Sequence, residues 1–137
     1  MKTRNPSLNS VRPWTLVLVL ALLCPPLLCR AEVKEIEPQK LASFEKKHPG
    51  TQVVDVREEW ERKKVKIPGS IHLPLNEISS ALEVLKVDKP VVTYCKSGRR
   101  SRHAAEVLDK LGFKEVYVLK GGIQAYTKEI DPSLQSY

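Results

Sequence analysis

Short apolar, β-branched runs alternate along residues 32–132 with longer stretches in which apolar residues recur at helical spacing. Gln52 to Val56 and Val116 to Leu119 read as strands, and Val91 to Tyr94 reads as a buried strand that follows the turn Asp88-Lys89-Pro90. Around them lie helical patterns. Pro38 to Lys47 carries Pro at an early helical position and turns Leu41 and Phe44 inward. Glu77 to Leu85 is a second helix. The stretch after Ser101 keeps helical spacing as far as Leu111, where Gly112 supplies a stop. Glu58, Glu59 and Glu61 read as a solvated helical turn around an inward-packing Trp60, and Arg62, Lys63, Lys64 and Lys66 continue as a charged face. Alternating helices and strands with short connections predict an α/β architecture: an open, largely parallel sheet flanked by helices on both faces. Its ligand site belongs beyond the carboxyl ends of the strands.

The first 31 residues follow a different pattern. Lys2, Arg4 and Arg12 precede an uncharged run from Trp14 to Leu23, and Cys29-Arg30-Ala31 ends on a small residue suited to cleavage. This predicts an export signal over residues 1–31, with the periplasm as destination. The alternatives are secretion and a retained anchor, and with an anchor the membrane becomes a partner. The run is shorter than the ~20 residues that span a bilayer, and Pro25-Pro26 interrupts it. Neither Cys24 nor Cys29 follows Gly, Ala or Ser, which argues against a bacterial lipoprotein. Residues 133–137 read as a frayed tail.

Cleavage after Ala31 changes the chemistry available to the mature chain. The net charge of +7 loses Lys2, Arg4, Arg12 and Arg30 and becomes +3. That excess, without interleaved aromatic and basic residues, gives no nucleic-acid signature. Of three cysteines only Cys95 remains, so no internal disulfide can form, and the thiol is free, reactive or intermolecular. No metal-ligand pattern and no cofactor motif stand out.

Cys95 ends the strand and opens the loop Cys95-Lys96-Ser97-Gly98-Arg99-Arg100-Ser101, which leads into a helix. Backbone N–H groups of such a loop converge on its centre, and the helix adds its positive end. Lys96, Arg99 and Arg100 bring formal charge, so the resting form predicted for Cys95 is the thiolate. A cysteine that merely closed a core strand would have no use for a cationic, Gly-containing loop. His103 reads as a solvated first-turn residue, His72 as packing or hydrogen-bonding beside Pro68-Gly69, and His48 as surface.

The pattern C-x-x-G-x-R-S at Cys95 to Ser101 resembles the active-site loop of the rhodanese family of sulfurtransferases. Three further segments agree in order and spacing. Asp55-Val56-Arg57 is similar to the family's D-V-R element, Ile67 to Pro74 to its I-P-G-A-x-x-I-P segment, and Leu119 to Tyr126 to its L-x-G-G-x-x-x-W ending. Lys66 and Tyr126 depart from the family's usual His and Trp, at positions that concern local packing and surface charge. Phosphatases and arsenate reductases with C-x5-R loops are the nearest rival, and here the arginine comes one residue early.

The resemblance implies a rhodanese-like domain over residues 32–132 and a double displacement. Cys95 takes the outer sulfur of thiosulfate or a related small anionic donor, holds it as a persulfide, and gives it to a thiol, of a small molecule or a protein, or to cyanide. Backbone N–H groups from Lys96 to Ser101, Ser97 and Ser101 included, would solvate the persulfide. Arg100 would orient the donor's oxyanions, Lys96 and Arg99 would attract it, and Gly98 would permit the tight path. Asp55 and Arg57 would support the loop through ion pairs and hydrogen bonds. Competing readings are a persulfide carrier docking on a partner protein, a thiol-redox module that traps partners, and the C-x5-R type of enzyme.

Overall fold

The computed structural model describes residues 33–134. The export signal and cleavage point predicted above, and the last three residues, lie outside that range. Five strands form one sheet: β1 (Lys34–Ile36), β2 (Gln52–Asp55), β3 (Ile71–His72), β4 (Val91–Tyr94) and β5 (Val116–Leu119). Their order is β1-β5-β4-β2-β3 and every neighbouring pair is parallel. The connections carry α1 (Pro38–Lys47), α2 (Glu59–Lys64), α3 (Ala81–Val84) and α4 (Arg99–Lys110), and α5 (Gly122–Glu129) follows the last strand.

Alternation along the central strand builds two cores. Val91 and Cys95 belong to an apolar cluster with Val54, Val56, Ala81, Ala104 and Leu108, whereas Val92 and Tyr94 belong to another with Ile36, Leu41, Val53 and Ile123. Successive strand side chains point to opposite faces. The first core is therefore roofed by α3 and α4 and the second by α1 and α5, so β4 is buried on both faces and reads as a continuous apolar run. Cys95 sits one residue beyond the carboxyl end of this innermost strand.

Several boundaries differ from the sequence expectation, each for a local reason. α4 begins at Arg99 rather than after Ser101, because Gly98 takes φ of +113° as N-cap and closes the loop early. Glu77 to Leu85 is not one helix: a 3₁₀ helix spans Leu75–Ser80, and α3 follows it. Trp60 does not pack inward. It is 56% exposed beneath the Lys64 ammonium, 4.9 Å above its ring, and Glu61 takes the buried position. Arg62, expected on a charged face, is half-buried and donates to the Ser70 hydroxyl (2.9 Å) and carbonyl (2.7 Å). Strands β1 and β3 and helix α5 were not expected as elements. Ser133 and Leu134, placed in the tail, fold back: the Ser133 hydroxyl donates to the Asp131 carboxylate and Leu134 packs on the second core. Among the described residues no helix is long and apolar enough to cross a membrane.

Candidate active site

A strand that ends at Tyr94 and a helix that starts at Arg99 leave four residues to reverse the chain, and Cys95 leads them. The Cys95 side chain is only 1% exposed. The Gly98 N–H donates to Sγ at 3.1 Å, and the Ser101 hydroxyl lies 3.6 Å from Sγ and 2.9 Å from the Gly98 carbonyl. One hydroxyl proton serves both acceptors, so that contact is shared. Burial pushes the Cys95 thiol up. The backbone N–H and hydroxyl of Ser101, with the N–H groups of Gly98 and Ser97, outweigh it and bring the thiol below its ordinary range. Fixed dipoles and a hydroxyl, rather than a side-chain base, favour the ionised form of this sulfur.

The expected site residues divide by environment. Ser101 is buried in the first turn of α4, Lys96 is half-buried, and Ser97 and Arg99 are exposed. Arg100 has a different setting from the one expected. Its Nη1 and Nη2 donate to the two carboxylate oxygens of Glu61 at 2.5 and 2.8 Å, so its planar fork closes on a carboxylate of its own chain. Glu61 itself is 3% exposed and also accepts the Glu58 N–H at 3.2 Å. Sequence reasoning missed Glu61. The Glu58-x-x-Glu61 spacing of a capping box was the available signal, and it says nothing of Arg100.

Beside the loop lies a second, fully buried polar group. Arg57 donates from Nε to Asp55 Oδ1 (2.9 Å) and from Nη2 to Asp55 Oδ2 (2.7 Å), with a further bond from Nη2 to the Val65 carbonyl (2.6 Å). The Tyr94 hydroxyl donates to Asp55 Oδ2 at 2.8 Å and accepts the Ile67 N–H at 3.1 Å. Burial and the adjacent Asp55 charge push the Tyr94 hydroxyl up to about 12. Tyr94 precedes the nucleophile in β4, so this network anchors the strand end that presents Cys95. Asp55 and Arg57 form the pair the sequence comparison implied, and Tyr94 joins them unannounced.

The histidines stand apart from Sγ in these contacts. His103 is exposed, 4.0 Å from the Glu106 carboxylate; His48 stacks on Phe44; and His72 Nε2 bonds the Arg57 carbonyl at 2.9 Å. Among the described residues no group of His, Cys, Asp and Glu could hold a metal ion.

The far wall of the loop is backbone. Ile123 N–H donates to the Cys95 carbonyl at 2.8 Å and Gln124 N–H to the Lys96 carbonyl at 3.2 Å, so the start of α5 abuts the nucleophile's own peptide.

Comparison with known proteins agrees with this geometry. The model of the family "Rhodanese-like domain" matches residues 38–129. The chain is 36% identical over 101 residues to the putative sulfurtransferase YtwF of Bacillus subtilis (strain 168), covering 74% of this chain and 97% of that one. It is 33% identical over 95 residues to the thiosulfate sulfurtransferase GlpE of Pseudomonas syringae pv. syringae (strain B728a), covering 69% and 88%. Among solved structures, a rhodanese-related protein from Thermoplasma volcanium superposes with a TM-score of 0.63 at 32% identity, over 71% of this chain and 93% of that one. The chain belongs to the rhodanese-like domain family, and its role is that of a sulfurtransferase or sulfur carrier.

Proposed function

We propose that the chain transfers sulfane sulfur from thiosulfate or a related small anionic donor to a thiol through a persulfide on Cys95. The observation that carries this reading is a buried sulfur ringed by N–H donors from Ser97, Gly98 and Ser101. The Cys95 thiolate attacks the outer sulfur of thiosulfate, the bond to the sulfonate sulfur breaks, and sulfite leaves with its electron pair. The loop N–H groups hold the terminal anionic sulfur of the persulfide that forms. An acceptor thiolate then attacks that sulfur, and Cys95 leaves as the thiolate it was.

No general base is required, because the nucleophile is already ionised when the donor arrives. Arg100, bound to Glu61, lends positive potential beside the loop, while Lys96 and Arg99 attract the donor. The charge pattern of residues 1–31 supports export before the protein acts, with N-terminal sequencing of the mature protein from a fractionated host as the check.

Intact-protein mass spectrometry before and after thiosulfate tests the chemistry. One added sulfur atom, released as thiocyanate by cyanide and lost in Cys95→Ser, is the expected result. No added sulfur from thiosulfate or other sulfane donors would overturn the reading.

A further inference from the structure

The N–H groups that surround Sγ need something to aim them, and the start of α5 supplies it. A trans peptide holds its C=O and N–H on opposite sides of one plane. The Lys96 carbonyl shares its plane with the Ser97 N–H, and the Cys95 carbonyl shares its plane with the Lys96 N–H. Gln124 N–H takes the Lys96 carbonyl at 3.2 Å and Ile123 N–H takes the Cys95 carbonyl at 2.8 Å. Both carbonyls therefore face α5, and the Ser97 N–H, one of the backbone groups that lower the Cys95 thiol, faces away from α5.

This approach demands an absent side chain at residue 122. Gly122 is buried with φ of +60°, and a Cβ there would lie 2.7 Å from the Lys96 carbonyl oxygen and closer still to that of Cys95. Real Cβ atoms do not come so near to backbone oxygen, and this backbone cannot move without releasing the two bonds. At Gly121, its neighbour, the atoms nearest to an added Cβ belong to Ala125 and not to the loop.

We propose that Gly122 is a positioning residue for the Cys95 nucleophile: it lets the first N–H groups of α5 grip the Cys95 and Lys96 carbonyls, and this grip turns the loop's N–H groups onto Sγ. The inference deepens the Cys95 reading above, yet its test needs no sulfur donor. Iodoacetamide alkylation of Cys95, followed against pH by mass spectrometry on the full mature chain, reads the thiolate directly. Failure of the wild type to load sulfur would count against the proposed function and leave this test standing.

Gly122→Ala is expected to move the alkylation midpoint up by about one pH unit or more, the effect of losing a hydrogen bond to a charged group. Gly112→Ala is the control. Its φ is +92° with open space around it, so it adds backbone strain without touching the loop, and its midpoint stays at the wild-type value. An unchanged midpoint in folded Gly122→Ala, or an equal shift in Gly112→Ala, overturns the proposal. Should Gly122→Ala lack a thermal transition, Gln124→Pro decides. It deletes the N–H on Lys96 from a first-turn position that has no intrahelical acceptor. A raised midpoint then supports the proposal and an unchanged one overturns it.

Discussion

Neighbouring strands β2 and β4 end on two acidic groups, the Asp55 carboxyl and, one residue past Tyr94, the Cys95 thiol, and the two are held by opposite means. Asp55 is gripped by formal charge: Arg57 on both oxygens, Arg62 at 3.5 Å and the Tyr94 hydroxyl. The Cys95 sulfur is gripped by backbone N–H groups and one serine hydroxyl. Asp55 takes no part in the proposed transfer, so side chains may close on it and stay closed. In the transfer proposed above, the Cys95 sulfur accepts a second sulfur, carries its charge one bond farther out and returns. Dipoles fixed in a loop follow that movement without breaking an ion pair, whereas a guanidinium locked on the sulfur would oppose it. The fork of Arg100, the nearest candidate for such a lock, is turned to Glu61.

The sharpest way to break the comparison is to remove the mobile charge. Cys95→Ser is expected to lose sulfur loading entirely, because a serine hydroxyl does not ionise near pH 7. The substitution is small and keeps the loop's N–H pattern, so urea denaturation should show stability within about 1 kcal/mol of wild type. A Cys95→Ser protein that still gains sulfur would place the nucleophile elsewhere.

Removing one side of the fixed pair has the reverse profile. Arg57→Met leaves the buried Asp55 with Arg62, Tyr94 and the backbone N–H of residue 57 but without its guanidinium partner, and is expected to cost about 3 to 5 kcal/mol by urea denaturation. Asp55 and Arg57 are both fully buried, so water cannot compensate. The alkylation profile of Cys95 in the fraction that remains folded should move little, since no Arg57 or Asp55 atom bonds Sγ. A large shift there would show that the two anion holders are one electrostatic unit.

How much of this was legible in the chain follows the same division. The backbone-built part was readable: β4 and β5 have the predicted bounds because short Val-rich runs stand out from the charged stretches around them, and the loop is contiguous from Cys95 to Ser101. The side-chain-built part was not. Glu61 meets Arg100 from 39 residues away, and a helix of six residues with five charges reads as solvated whichever residue turns inward. Trp60 was assigned the core position on hydrophobicity alone, although the inward slot belongs to the residue that satisfies Arg100. Strand β1, three residues of which two are charged and exposed, pairs on one side only and carries no alternation long enough to detect. For α5, Gly121 and Gly122 masked a helix start whose glycines answer to the loop beside it.

Tyr94 belongs to the fixed device, and its titration sharpens the contrast at high pH. Its hydroxyl is raised from the ordinary value near 10 to about 12, so the folded state holds this proton more tightly than the unfolded chain. Stability from it is fully present below pH ~10 and drains away as pH climbs to about 12, two units or about 3 kcal/mol. Urea midpoints measured from pH 9 to 12 should fall more steeply in the wild type than in Tyr94→Phe. Parallel curves would mean that Asp55 and the burial of the ring do not hold the proton as the geometry requires. At neutral pH Tyr94→Phe is the less stable protein, since it strands the Ile67 N–H.

The smallest expected effect concerns charge that belongs to neither device. Arg99 is exposed in the first turn of α4, one residue past the Gly98 cap, where it can draw an anion toward the loop without binding Sγ. A long-range attraction of this kind is screened by salt, with a Debye length of about 8 Å at physiological ionic strength. Persulfide formation from thiosulfate should therefore slow as salt rises, and Arg99→Ala should be slower at low salt by about two- to fivefold and respond less to added salt. A neutral sulfane donor should show neither difference, because the loop's dipoles act only at contact. If Arg99→Ala keeps the full salt response, the steering field comes from the other cations around the loop, Lys96 first among them, and Arg99 serves only to begin the helix.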